Sequence, residues 1–108
     1  MKNNKIYTFE EIKRIVNPIL QKYRAEKAIL FGSYARKEAD ENSDIDIMVI
    51  GGDCFDPTDI FCIADEIFTQ SGKPIDVYER REINTDSDFY RNIFAEGIEL
   101  WSILTFNE

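Results

Sequence analysis

The sequence predicts a small α/β domain of the α+β kind: a mixed sheet of three to four strands with helices packed on it. Three observations carry that prediction. Apolar patterns of helical and strand-like period alternate along the chain in the order helix, strand, short helix, strand, helix, strand, helix. The 108 residues suit one domain around one modest core, so positions 1–108 are read as a single unit. Hydrophobic residues make up 44% and charged residues 31%, the balance of a globular chain.

Each element has its own local signal. Thr8 followed by Glu11 has the form of a capping box, and Ile12, Ile15, Val16, Ile19 and Leu20 then recur at helical spacing. Pro18 falls inside that pattern and is expected to kink or split the helix. Lys27-Ala28-Ile29-Leu30-Phe31 reads as a strand that stops at Gly32. Ser33 to about Lys37 reads as a short helix capped by Ser33. A polar turn over 39–43 leads into a second strand from Asp44 to Ile50, closed by Gly51-Gly52. Asp56-Pro57 has the form of a helix start, with Ile60, Ile63, Ala64, Ile67 and Phe68 as the apolar face and Ser71-Gly72 as the stop. Pro74 to Glu79 is a third strand, with Ile75 and Val77 on one face and Asp76 and Tyr78 on the other. A last helix runs from Asp86 to about Glu96, with Phe89, Tyr90, Ile93 and Phe94 on its apolar side and Gly97 at its end. Ile98 to Phe106 is apolar without a period that assigns it.

Composition narrows the chemistry. The chain has no histidine, which removes Ser-His-Asp and Cys-His catalysis and histidine-ligated zinc. A bound metal would need oxygen ligands, which favours Mg²⁺ or Mn²⁺. Cys54 and Cys62 are too few for a disulfide framework and read as ordinary thiols. The net charge of −8 disfavours direct, non-specific nucleic-acid binding. No apolar run approaches the roughly 20 residues that span a bilayer, and no signal-type core follows the basic start, so the cytoplasm is the expected location.

The informative spacing is Gly32-Ser33, ten residues, then Asp44-Ile45-Asp46. Residues two apart on a strand face the same way, so Asp44 and Asp46 would present paired carboxylates from an otherwise apolar strand. Such a pair repels itself unless protons or cations neutralise it. Asp76 interrupts the third strand and joins them if the two strands are neighbours. Three carboxylates could hold two divalent ions roughly 3.5–4 Å apart, as two-metal phosphoryl transfer requires. Gly32 and Ser33 offer a turn on which phosphate can rest, and Arg36 and Lys37 follow as candidate phosphate contacts. Neither a P-loop nor a Gly-x-Gly-x-x-Gly motif occurs.

Gly32-Ser33-Tyr34-Ala35-Arg36, Ser43-Asp44-Ile45-Asp46-Ile47 and Ile75-Asp76-Val77 together resemble the minimal nucleotidyltransferases of the DNA polymerase β-like superfamily. The resemblance covers roughly Lys27 to Glu79. It departs at Lys37, where the family often has glycine. It implies a nucleotidyltransferase fold, ATP or another NTP as donor, and Mg²⁺. Gly32, Ser33 and Arg36 would bind nucleotide. Asp44, Asp46 and Asp76 would be catalytic metal ligands, with Asp76 also a candidate base. It further implies a HEPN-type toxin as partner, with AMP transferred to a toxin tyrosine, as in a type VII toxin–antitoxin system. Because the chain holds little beyond the catalytic core, the acceptor site is expected from that partner or from a second copy of the chain. The alternatives are a non-catalytic antitoxin that acts by covering its partner, and nucleotidyl transfer to a small molecule such as an antibiotic.

Overall fold

The computed structural model describes residues 4–103. The first helix, α1 (Phe9–Lys22), starts at the expected capping box. The Glu11 amide donates to Thr8 Oγ1 at 3.1 Å, and the Thr8 amide donates to Glu11 Oε1 at 2.9 Å. Pro18 does not split this helix. Pro18 and Arg14 both lie on its exposed side, so water can take the carbonyl that the proline leaves without a donor. Ile12, Val16, Ile19 and Leu20 form its buried stripe.

Four strands follow: β1 (Lys27–Phe31), β2 (Ile45–Ile50), β3 (Ile75–Glu79) and β4 (Ile98–Ser102). Their order across the sheet is β3-β2-β1-β4. β1 runs antiparallel to both β2 and β4, while β2 and β3 are parallel. Parallel neighbours need a crossover. The helix α3 (Asp59–Ser71) supplies it. The unassigned C-terminal stretch therefore holds the fourth strand. Trp101 anchors it, donating its indole N–H to the Ala25 carbonyl at 2.9 Å. Leu104 and Phe106 lie outside the described residues.

The starts of the two later helices differ from expectation. The helix expected from Asp56 begins at Asp59, because the Asp56 carboxylate instead accepts from the Thr58 amide and hydroxyl and closes a tight turn ahead of it. The last helix, α4 (Asp88–Glu96), is capped by Ser87 rather than started at Asp86. Of its expected apolar face only Ile93 is buried. Phe89 and Phe94 are 44% and 48% exposed, and Phe68 of α3 is also on the surface.

The sheet has two unlike faces. α1 and α3 cover one, packing against Ala28, Leu30, Ile45, Ile47, Val49 and Leu100. On the other, Ile93 of α4 packs with Ile29, Phe31 and Met48. Asp46, Asp76 and Tyr78 share this second face, as the pairs Phe31↔Asp46, Asp46↔Asp76 and Met48↔Tyr78 require. No helix among the described residues is long and apolar enough to cross a membrane.

Candidate active site

The site forms where β1 ends and β2 and β3 begin. Parallel register places Asp46 of β2 opposite Asp76 of β3. Asp44 precedes β2 and is exposed, as is Asp76, while Asp46 is half-buried. The expected strand thus begins one residue later than Asp44, which sits on the chain entering the sheet.

The electrostatics follow from this placement. Asp46 has its carboxyl pushed up from 3.8 to about 6. Burial is the main cause. The charges of Asp76 and Asp44 and the hydrogen-bonding approach of Asp76 add to it, and Arg36 opposes it. Asp76 and Asp44 are therefore both close enough for their charges to act on Asp46. Tyr78 lies beside them. Burial raises its phenol first, then the charges of Asp76 and Asp46. Its ring packs with Phe31 and Phe89 at centroid distances of 6.0 Å and 5.6 Å, forming an aromatic wall next to the acids.

Gly32 is fixed by contact as well as by conformation. Its φ is +73°, and a Cβ there would lie 2.3 Å from Asp46 Oδ2. Only a residue without a side chain lets the turn pass beneath that carboxylate. The helix expected over 33–37 is a single turn, α2 (Gly32–Ala35), with Phe31 rather than Ser33 in the capping position. Ser33 lies inside this turn, half-buried, and its hydroxyl bonds to no protein group among the described residues. The dipole of one turn is small. Any phosphate contact here rests on the Ser33 hydroxyl and the unbonded first-turn amides.

Arg36 is engaged elsewhere. Its guanidinium pairs with Glu38 at 3.2 Å and with Glu96 of α4 at 3.0 Å. It lies near enough to Asp46 to oppose the rise in that group's pKa, yet its donors are held by two carboxylates. Lys37 adopts φ 61°, the left-handed conformation in which glycine is free of strain. The position where this chain departs from the glycine pattern is thus one where glycine would fit the backbone.

No three His, Cys, Asp or Glu side chains among the described residues stand as a ready-made metal cage. Mg²⁺ does not require one. It is usually held by one or two carboxylates, with substrate phosphates and water completing its shell. The Asp46–Asp76 pair, with Asp44 beside it and only oxygen donors present, fits that mode.

The chain is similar to known proteins in sequence and in fold. The family model described as polymerase beta, nucleotidyltransferase matches residues 13–104. Two Methanocaldococcus jannaschii proteins, each named "Putative protein adenylyltransferase", are similar in sequence. One is 42% identical over 68% of this chain and 80% of its own length. The other is 38% identical over 83% of this chain and 94% of its own. Among solved structures, a toxin–antitoxin complex with AMP-PNP has a chain that superposes with a TM-score of 0.72 at 23% identity, covering 88% of this chain and 77% of that one. A complex of tri-AMPylated Shewanella oneidensis HEPN toxin with its MNT antitoxin gives 0.68 at 20% identity, covering 93% and 77%. At these identities the structural likeness speaks for the fold. The family match over residues 13–104 and the sequence similarity over most of the chain show that it belongs to the polymerase β-type nucleotidyltransferase family.

Proposed function

We propose that this nucleotidyltransferase moves AMP from ATP to a hydroxyl of a partner protein, with Mg²⁺, and that the acceptor is a tyrosine of a HEPN-type toxin, in the cytoplasm. The carrying observation is the register pair Asp46–Asp76 set above the side-chain-free turn at Gly32. The similar proteins named as protein adenylyltransferases support protein adenylylation, and the similar toxin–antitoxin complexes support a toxin partner.

Asp44, Asp46 and Asp76 would hold Mg²⁺, most simply two ions, with Asp44 and Asp46 on the one that carries the triphosphate and Asp76 serving the acceptor side. The metal supplies positive charge that offsets the triphosphate and lowers the pKa of a bound hydroxyl. Every other task falls to this chain. Gly32 keeps the turn low so that phosphate can approach the backbone, and the Ser33 hydroxyl is available to a phosphate oxygen. Arg36 would reach phosphate by giving up Glu38 or Glu96. Asp76, exposed at the mouth, takes the proton from the acceptor hydroxyl as its oxygen bonds to the α-phosphorus. The bond from that phosphorus to the bridging oxygen breaks, and pyrophosphate leaves.

Asp76→Asn separates binding from chemistry. It should leave ATP–Mg²⁺ binding within a few-fold of the parent, while transfer falls by about 10²–10⁴, the usual worth of a positioned base. Asp44→Asn and Asp46→Asn should weaken both together. Unchanged transfer in Asp76→Asn would remove Asp76 from the chemistry. Partner binding without transfer by the parent would favour an antitoxin that acts by covering its target.

A further inference from the structure

Lys73 is 1% exposed, and its buried ammonium has one recorded partner, the Glu41 carbonyl at 3.0 Å. Among the described residues no carboxylate pairs with it. An ammonium buried without a carboxylate is costly, and a methionine of similar volume would fill the space without that penalty. Packing alone therefore gives no reason for a lysine here.

What Lys73 holds gives the reason. Residues 40–43 form a tight turn in which the Ser43 amide donates to the Asp40 carbonyl at 3.1 Å. The Asn42 amide donates to Asp40 Oδ1 at 2.8 Å, and the Asp40 amide to Ser43 Oγ at 2.8 Å. Asp40, Glu41 and Asn42 are all exposed, so little packing restrains the turn. It nevertheless leads directly to Asp44, the one candidate ligand outside the sheet. Lys73 is itself fixed by its amide, which donates to Ser71 Oγ at 3.1 Å at the end of α3. One residue further on, the Pro74 carbonyl accepts from the Ile45 amide at 3.0 Å. The segment entering β3 thus grips the segment entering β2 on both sides of Asp44.

We propose that Lys73 is a positioning residue: by clamping the 40–43 turn it sets Asp44 against the Asp46–Asp76 pair. The proposal rests on the reading of these three acids as a Mg²⁺–nucleotide site. A ligand held by groups behind it loses roughly 10–100-fold in metal affinity when they are removed.

The test is Lys73→Met in the full chain, titrated calorimetrically with Mg²⁺ and a non-hydrolysable ATP analogue. The variant should unfold at or above the parent temperature, because a buried charge is gone. Its Mg²⁺-dependent analogue affinity should fall about 10–100-fold. The Mg²⁺ concentration for half-maximal transfer should rise, and the rate should recover at saturating Mg²⁺. Asp40→Ala breaks the same turn at an exposed position without touching the core. It should shift Mg²⁺ dependence in the same direction, and it decides the matter if Lys73→Met does not fold. Parent-like Mg²⁺ dependence in the folded variant, or a transfer rate that stays low at saturating Mg²⁺, overturns the proposal. A parent chain that binds no analogue in Mg²⁺ overturns instead the reading of the site on which it rests.

Discussion

Asp46→Asn should make the metal-free protein more stable, although it disables the site. The parent carboxyl is pushed up from 3.8 to about 6, chiefly by burial and then by Asp76 and Asp44. A raised folded-state pKa means that the native fold favours the protonated acid. The stability this group provides is full below about pH 3.8 and is lost as pH rises through about 6. For a fully buried group such a rise is worth roughly 3 kcal/mol. Asp46 is only half-buried, and screening by water reduces this to about 1–2 kcal/mol. Asparagine keeps the shape without the charge. At pH 8 in chelator the variant should melt about 4–8 °C above the parent for each kcal/mol gained. At pH 5 the gap should still be roughly half that at pH 8, and the two should converge only below about pH 3.8, where the acid is protonated in folded and unfolded chains alike. Mg²⁺ with nucleotide should reverse the order at pH 8, since only the parent binds it well. The assay is thermal unfolding from about pH 3 to pH 8, with and without metal. A variant less stable than the parent at pH 8 in chelator, or with the same dependence on pH, would refute the reasoning.

Two further substitutions test the backbone of the site. Gly32→Ala introduces a Cβ 2.3 Å from Asp46 Oδ2 at a φ of +73°. Chemical denaturation should show a loss of at least about 1–2 kcal/mol from the conformation alone, and calorimetry should show ATP–Mg²⁺ binding weakened about tenfold or more as Asp46 is displaced. Lys37→Gly should instead stabilise the fold by about 0.5–1 kcal/mol in the same denaturation assay, because φ 61° suits glycine.

The helical stripe of α1, the first three strands and the acids that interrupt them were legible in the sequence, because each depends on local period and on residue types that conflict with their neighbours, whereas the pairing of Asp46 with Asp76 rested on β2 and β3 lying side by side. The motifs Gly32-Ser33, Asp44-x-Asp46 and Asp76 were visible as spacings. What was not legible depends on contacts distant in sequence. β4 has no strict alternation, and pairing with β1 and the Trp101–Ala25 bond hold it in place. Asp56 and Ser33 looked like helix caps, yet Asp56 is consumed by its own turn and Ser33 lies one position inside α2. Arg36 read as a phosphate contact, and nothing local announced that Glu96, sixty residues on, would hold it. Lys73 carries no signal of its own in the sequence, and its burial emerges only when the turn over 40–43 folds onto it.

The most direct test of the central claim is the mass of a HEPN-type partner after incubation with this chain, ATP and Mg²⁺. The account predicts the addition of AMP, mapped to tyrosine. It predicts none in chelator and markedly less with Asp44→Asn or Asp46→Asn. An unmodified partner, alongside a folded parent chain that binds both it and ATP–Mg²⁺, would contradict the account.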